Sequence, residues 1–347
     1  MAQTYRTAII GCGGRGRAHA GGLRAEARCE VVALADIKPE AAARVNEENG
    51  FGAKIYTDYR ELLHKERPDI LAVCLWTPLH LPVARDCMEA ASVRAVLSEK
   101  PMAPTWGEYR EMARVAEQTA KQLTFCHQRR FAKGNQTARR LIADGRFGEI
   151  QRMDLYSPRH LLDCGTHTFD QALSFNNESP ARWVLGAVDT SKTFAYFAVR
   201  AETMAVGHLV FENGVRANIQ VGGPDMDMGS GVRIIGTDGF LEVDWDGRFG
   251  RSAVYSDPSW RPPVVEKDGM NEHMVGVIRN AVDSLENGVE PELSYRKALR
   301  AGEIIFALYE SVRRHARVEL PLGDVFDDHP LHALLDKGHL GEKAGVQ

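Results

Sequence analysis

Up to Gln128 the chain alternates short, β-branched runs with longer amphipathic ones. TAIIG, CEVVALAD, DILAVCLW, RAVLSEKP and QLTFCHQ are nearly continuous apolar runs, whereas YRELLHKE, LPVARDCMEAA and TWGEYREMARVAEQTAKQ space their apolar residues as helices do. Apolar strands separated by helices predict an α/β domain, a doubly wound parallel sheet covered on both faces, over residues 1–128. After a helix-like NQTARRLIADGRFG the texture changes to long alternating runs: EIQRMDLYS, RWVLGAVDTS, TMAVGHLVFENGVRANIQVGG and GVRIIGTDGFLEVDW. The turns ENG and TDG join neighbouring runs, which predicts an α+β domain over 129–326 with a large, mostly antiparallel sheet. Two late helices, near Asn271 to Asn287 and Tyr295 to His315, are expected to cover one face of that sheet. The polar tail, 327–347, reads as a surface arm or disordered, and the GGPDMDMGSG stretch over 222–231 as a mobile loop.

A length of 347 residues with 44% hydrophobic content suits two cores better than one. Lysine plus arginine at 43 against aspartate plus glutamate at 47 gives a net charge of -4 with no block of like charge, which argues against nucleic acid or an anionic membrane surface as partner. No apolar run approaches the roughly 20 residues of a membrane helix, so the chain is read as soluble, unprocessed and cytoplasmic. Its six cysteines lack CxxC or zinc-type spacing and read as small core residues in a reducing compartment.

Candidate chemistry begins at the first strand's end. Gly11, Gly13 and Gly16, with Gly14 and Arg15 between them, form a GxGxxG turn between a strand and a helix, where backbone N–H groups reach a pyrophosphate. Arg15 or Arg17 is positioned to add charge there. The next strand ends in Asp36, about twenty residues beyond the last glycine, where a carboxylate accepts from ribose hydroxyls and repels a 2′-phosphate. NAD is therefore expected over NADP, with Lys38 as the one nearby cation that would tolerate a phosphate.

CLWTPLH and LSEKP each end a predicted parallel strand, at the edge where doubly wound sheets bind ligands. With GCGGRG, AD, TPLH and EKP in order, the first 130 residues or so resemble the glucose-fructose oxidoreductase / inositol dehydrogenase / rhizopine catabolism (Gfo/Idh/MocA) family. The resemblance implies a Rossmann domain followed by an α+β domain whose sheet often forms an oligomer interface. It also implies that Lys100 lies near nicotinamide and substrate, that Glu99 contacts the nicotinamide ribose, and that Thr77 and Pro78 line the cofactor. His80 either joins them or caps and packs.

In HLLDCGTHTFDQALSF, Asp163 and His167 stand four apart and would share one face of a helix, with Asp170 following. The resemblance makes His167 the general base and Asp163 its partner. Histidine suits the task because it titrates near working pH, and Lys100 would stabilise a developing alkoxide. Asp163, His167 and Asp170 also have the residue types of a metal site, but the lysine chemistry makes a metal unnecessary and none is expected. The passage before Asp163 is shorter than in many such proteins, so Tyr156, Arg159 and His160 become candidate substrate contacts, with His127, Gln128 and Arg130 after the sixth strand. The leading expectation is an NAD-dependent oxidoreductase acting on a ring CH–OH of a sugar, glycoside or cyclitol. Two alternatives stay open: an NAD-retaining enzyme that cleaves glycosides by oxidation, elimination, hydration and reduction, and a non-catalytic NAD-binding regulatory protein. A homo-oligomer, dimer or tetramer, is expected because the free face of the second sheet would otherwise be a large apolar patch.

Overall fold

The computed structural model describes residues 3–191, 194–196, 198–222 and 229–323, together with Leu331 and Leu334. In chain order the elements are β1 (Tyr5–Ile10), α1 (Gly14–Ala25), β2 (Cys29–Ala35), α2 (Pro39–Asn49), β3 (Lys54–Tyr56), α3 (Tyr59–Glu66), β4 (Ile70–Val73), α4 (His80–Glu89), β5 (Ala95–Ser98), α5 (Trp106–Thr119) and β6 (Gln122–Phe125). There follow α6 (Lys133–Ala143), β7 (Ile150–Ser157), α7 (Thr166–Phe175), β8 (Ala181–Asp189), β9 (Phe194–Tyr196), β10 (Val199–Ala201), β11 (Met204–Phe211) and β12 (Arg216–Gly222). The last are β13 (Gly231–Gly236), β14 (Gly239–Val243), β15 (Phe249–Val254), α8 (Met270–Asn287), α9 (Tyr295–Arg314) and β16 (Val318–Glu319).

Two compact units result. The first comprises residues 1–103, 108–131 and 269–298; the second comprises 104–107, 132–268 and 299–347. In the first, six parallel strands run in the order β3-β2-β1-β4-β5-β6, a doubly wound sheet whose order reverses between β1 and β4. Its register is level at one end: Ile10 pairs with Ala35 and Val73, Val73 with Ser98, and Ser98 with Phe125. The residues that follow these strands, Gly11, Asp36, Cys74, Glu99 and Cys126, therefore emerge along a single carboxyl edge.

The second unit holds an eight-stranded sheet, β15-β14-β13-β7-β12-β11-β8-β16, in which only the β7–β12 pair is parallel. Both expected hairpins form, β11 with β12 across ENG and β13 with β14 across TDG. All six cysteines are free, and all but Cys29 are buried.

Three expectations change. Helix α8, expected on the second sheet, belongs to the first unit: it packs on α1, and its buried Met274, Val277, Ile278, Ala281 and Val282 join one hydrophobic cluster with Ile9, Leu23 and Leu34. The close approach depends on Gly22, where a Cβ would stand 2.9 Å from Ile278 Cγ1 and from the Met274 carbonyl. The face of the second sheet that carries Arg152, Asp154 and Tyr156 is also not a large apolar patch. Asn218 donates to Asp154 at 2.9 Å, Arg233 lies between Asp154 and Glu242, and among the described residues the large apolar side chains exposed there are Leu185 and Val206. In the tail, Leu331 and Leu334 are buried, so these two positions are not part of a surface arm. The rest of the tail, and residues 223–228 of the Gly/Met-rich loop, lie outside the described residues.

Candidate functional site

The opening turn is built by contact. Gly11 has φ +91°, in the left-handed region, and a Cβ on Gly16 would stand 2.1 Å from the Gly11 carbonyl oxygen, so the α1 start lies directly against the turn. Around Gly13 and Gly14 the space is open: nothing lies within 4 Å of where a Cβ would project. Gly13 caps α1 without a side-chain acceptor, and the first turn holds no acidic residue. A helix start with no side-chain cap, beside the open space at Gly13 and Gly14, fits a dinucleotide pyrophosphate. Asp36, half-buried, accepts from the Cys12 N–H at 2.7 Å through one oxygen and from the Lys38 N–H at 2.9 Å through the other, which fixes its carboxylate against the turn.

After β4, Thr77 to Leu79 form a 3₁₀ turn in which Thr77 is buried and Pro78 exposed. His80 is buried, with Nδ1 2.8 Å from the Pro101 carbonyl and Nε2 3.0 Å from that of Leu75. It ties the loops after β4 and β5 together, and burial pushes its imidazole below the usual histidine range.

Glu99, 3% exposed, is the electrostatic centre of this edge. Arg15 reaches its Oε1 at 2.8 Å and His19 at 3.0 Å. Burial alone would raise the Glu99 carboxyl; the His19 hydrogen bond and the Arg15 charge outweigh it and hold it at about 2. Arg15 is thus drawn towards Glu99 and the Cys126 sulfur, at 3.5 Å. Arg17 points instead towards Glu48, at 4.0 Å. Lys100 follows Glu99 and is half-buried. His127 and Gln128 are buried, and Arg130 pairs with Glu292 at 3.1 Å. Sequence reasoning missed His19; its signal was the four-residue spacing from Arg15 on α1, which puts both on one helix face.

In the second unit, β7 ends at Ser157 and a π turn, Leu161–Gly165, runs directly into α7. The turn closes through the Gly165 N–H on the His160 carbonyl at 3.0 Å. Asp163, His167 and Asp170 are all buried within this segment. Arg159, about half exposed, lies 3.8 Å from Asp163 and donates to the Tyr196 hydroxyl. The His167 ring lies 6.2 Å from that of Trp245, whose indole N–H donates to Thr168 at 3.2 Å. Tyr156 is half-buried, and its carbonyl accepts from Thr168 at 3.2 Å. The structure thus gathers Arg159, His160, Asp163 and His167 on one short segment. Trp245 and Glu202, which flank it, carried no signal in the sequence because each is contributed by a distant strand end.

Residues 5–127 match the GFO_IDH_MocA family, described as an oxidoreductase family with an NAD-binding Rossmann fold. The chain is 24% identical to a D-apiose dehydrogenase of Paraburkholderia graminis, over 91% of this chain and 90% of that one. It is 31% identical over 161 residues to a D-glucoside 3-dehydrogenase of Escherichia coli, covering 46% of this chain and 44% of the relative. Its fold matches the crystal structure of the WlbA dehydrogenase from Bordetella pertussis in complex with NADH and UDP-GlcNAcA, at a TM-score of 0.78 and 22% identity over 93% of this chain and 99% of that one. The six-stranded parallel sheet, the glycine turn and the Glu99-Lys100 edge all fall within the part of the chain that matches this oxidoreductase family.

Proposed function

We propose that the protein is an NAD-dependent dehydrogenase that oxidises a ring CH–OH of a sugar, glycoside or cyclitol. The observation that carries this reading is the level carboxyl edge of the first unit, which presents the open glycine turn, the fixed Asp36 carboxylate and the Glu99-Lys100 pair side by side. Bound nicotinamide would supply the hydride acceptor. Gly13 and Gly14 would receive the pyrophosphate, Asp36 the adenosine ribose hydroxyls, and Glu99 the nicotinamide ribose. Asp36 favours NAD over NADP because a 2′-phosphate would meet its negative charge.

His167 takes the hydroxyl proton, with Asp163 as its electrostatic partner, while the Lys100 ammonium stabilises the alkoxide as the C–H bond is lost. Tyr156, Arg159, His160, His127 and Gln128 supply the polar groups that a polyhydroxylated ligand needs. Named relatives that are dehydrogenases of D-apiose and of a D-glucoside support this substrate class. Neither glycoside cleavage nor a non-catalytic role has an observation in its favour.

The test is NADH formation, followed by absorbance, with excess NAD or NADP and a panel of D-apiose, methyl glucosides, myo-inositol and aryl glycosides. One panel compound should yield stoichiometric NADH, and Lys100→Met should lower that turnover at least about 100-fold. Release of the aglycone without net NADH, or full turnover in Lys100→Met, would refute the assignment.

A further inference from the structure

Glu202 is only 1% exposed, and nothing in the proposed chemistry accounts for it. It stands between β10 and β11 and is held at both its side chain and its main chain. The Leu161 N–H donates to its Oε1 at 2.7 Å, and the Tyr309 hydroxyl, from α9, donates to its Oε2. Its main-chain carbonyl faces His160 Nδ1 at 2.7 Å. A carbonyl oxygen only accepts, so Nδ1 carries a hydrogen and is the donor in this contact. Burial, aided by Glu202 itself, pushes the Tyr309 hydroxyl well above the usual tyrosine range, so Tyr309 remains a donor.

Two of these bonds reach the residue before the π turn and its first residue, and the third, from Tyr309, holds the Glu202 carboxylate from behind. A π turn accommodates one residue more than an α-turn, and relaxation to α geometry would rotate the side chains that follow by about 100° about the helix axis. Asp163 lies inside this turn and His167 just beyond it. We infer that Glu202, backed by Tyr309, is a positioning residue: it holds the π turn in register, thereby orienting Asp163 and His167, and it holds the His160 ring through Nδ1. This inference rests on His167 being the base proposed above.

In the full chain, Glu202→Ala and Tyr309→Phe are compared with wild type and with Glu202→Gln, which keeps an acceptor for Leu161. Turnover is measured on the panel compound that yields NADH, per mole of protein that binds NADH by fluorescence. Glu202→Ala should lower kcat at least tenfold, Tyr309→Phe about threefold or more, and Glu202→Gln less than threefold, with NADH affinity within twofold in each. Amide hydrogen exchange over residues 160–167 should accelerate tenfold or more in Glu202→Ala while peptides of the first unit keep their rates. The inference fails if Glu202→Ala loses turnover only in proportion to the protein that no longer binds NADH, or if exchange over 160–167 is unchanged. His167→Ala separates the two levels. A collapse there beside an active Glu202→Ala overturns the anchor alone; a fully active His167→Ala overturns the base assignment and the anchor with it.

Discussion

A carboxylate enclosed like that of Glu99 tends to take up a proton unless its neighbours supply compensating charge and hydrogen bonds. Arg15 and His19 do so here, moving the group from 4.5 to about 2. Because the folded value is the lower one, the linked stability is present above the unfolded value of about 4.5 and is lost as pH falls towards about 2. Its full size is on the order of 3 kcal/mol. Urea denaturation should show wild type losing stability more steeply than Glu99→Gln between about pH 5 and pH 3; parallel curves would count against the buried charge cluster. The sequence made Arg15 legible as a cation beside the turn but not its partner, since the Glu99 that engages it lies 84 residues away across the strand ends. Likewise, the Asp163–His167 spacing was readable from the chain, whereas Trp245 and Glu202 reach that segment only through the sheet's pairing.

At the scale of elements, the β1–α1 turn tolerates no side chain at Gly16, where a Cβ would fall 2.1 Å from a backbone oxygen. Gly16→Ala must therefore push α1 off the turn. NADH affinity, measured by fluorescence titration, should fall tenfold or more, and the melting temperature should fall with it. The strands of the first sheet were legible because parallel strands buried on both faces carry continuous apolar runs. β3 escaped notice: it has three residues, Lys54, Ile55 and Tyr56, none of them buried. The π turn escaped for a different reason, since a single wide turn leaves no periodicity of its own and is set by what holds its ends.

For the whole molecule, chain order and spatial grouping part company at α8. Apolar spacing identified it as a helix with one buried face but could not say which core that face completes; Gly22 of α1 decides it by letting the two backbones approach. Met274, Val277, Ile278 and Val282 are each nearly fully buried. At roughly 1.5–3 kcal/mol per large apolar side chain, their loss rivals the 5–15 kcal/mol that stabilises a typical domain. A fragment of residues 1–131 should therefore fail to give a cooperative melt or bind NADH, while the same fragment joined by a flexible linker to 269–298 should do both. A cooperative, NADH-binding 1–131 fragment would show that α8 is dispensable. The same feature bears on synthesis. A ribosome adding roughly 5–20 residues per second needs about 10–30 s to pass from residue 131 to residue 298. For that interval the nascent α1 leaves its apolar stripe uncovered, so the half of the protein made first is finished late, and its exposure to chaperones or misassembly is timed by the translation of the half made second.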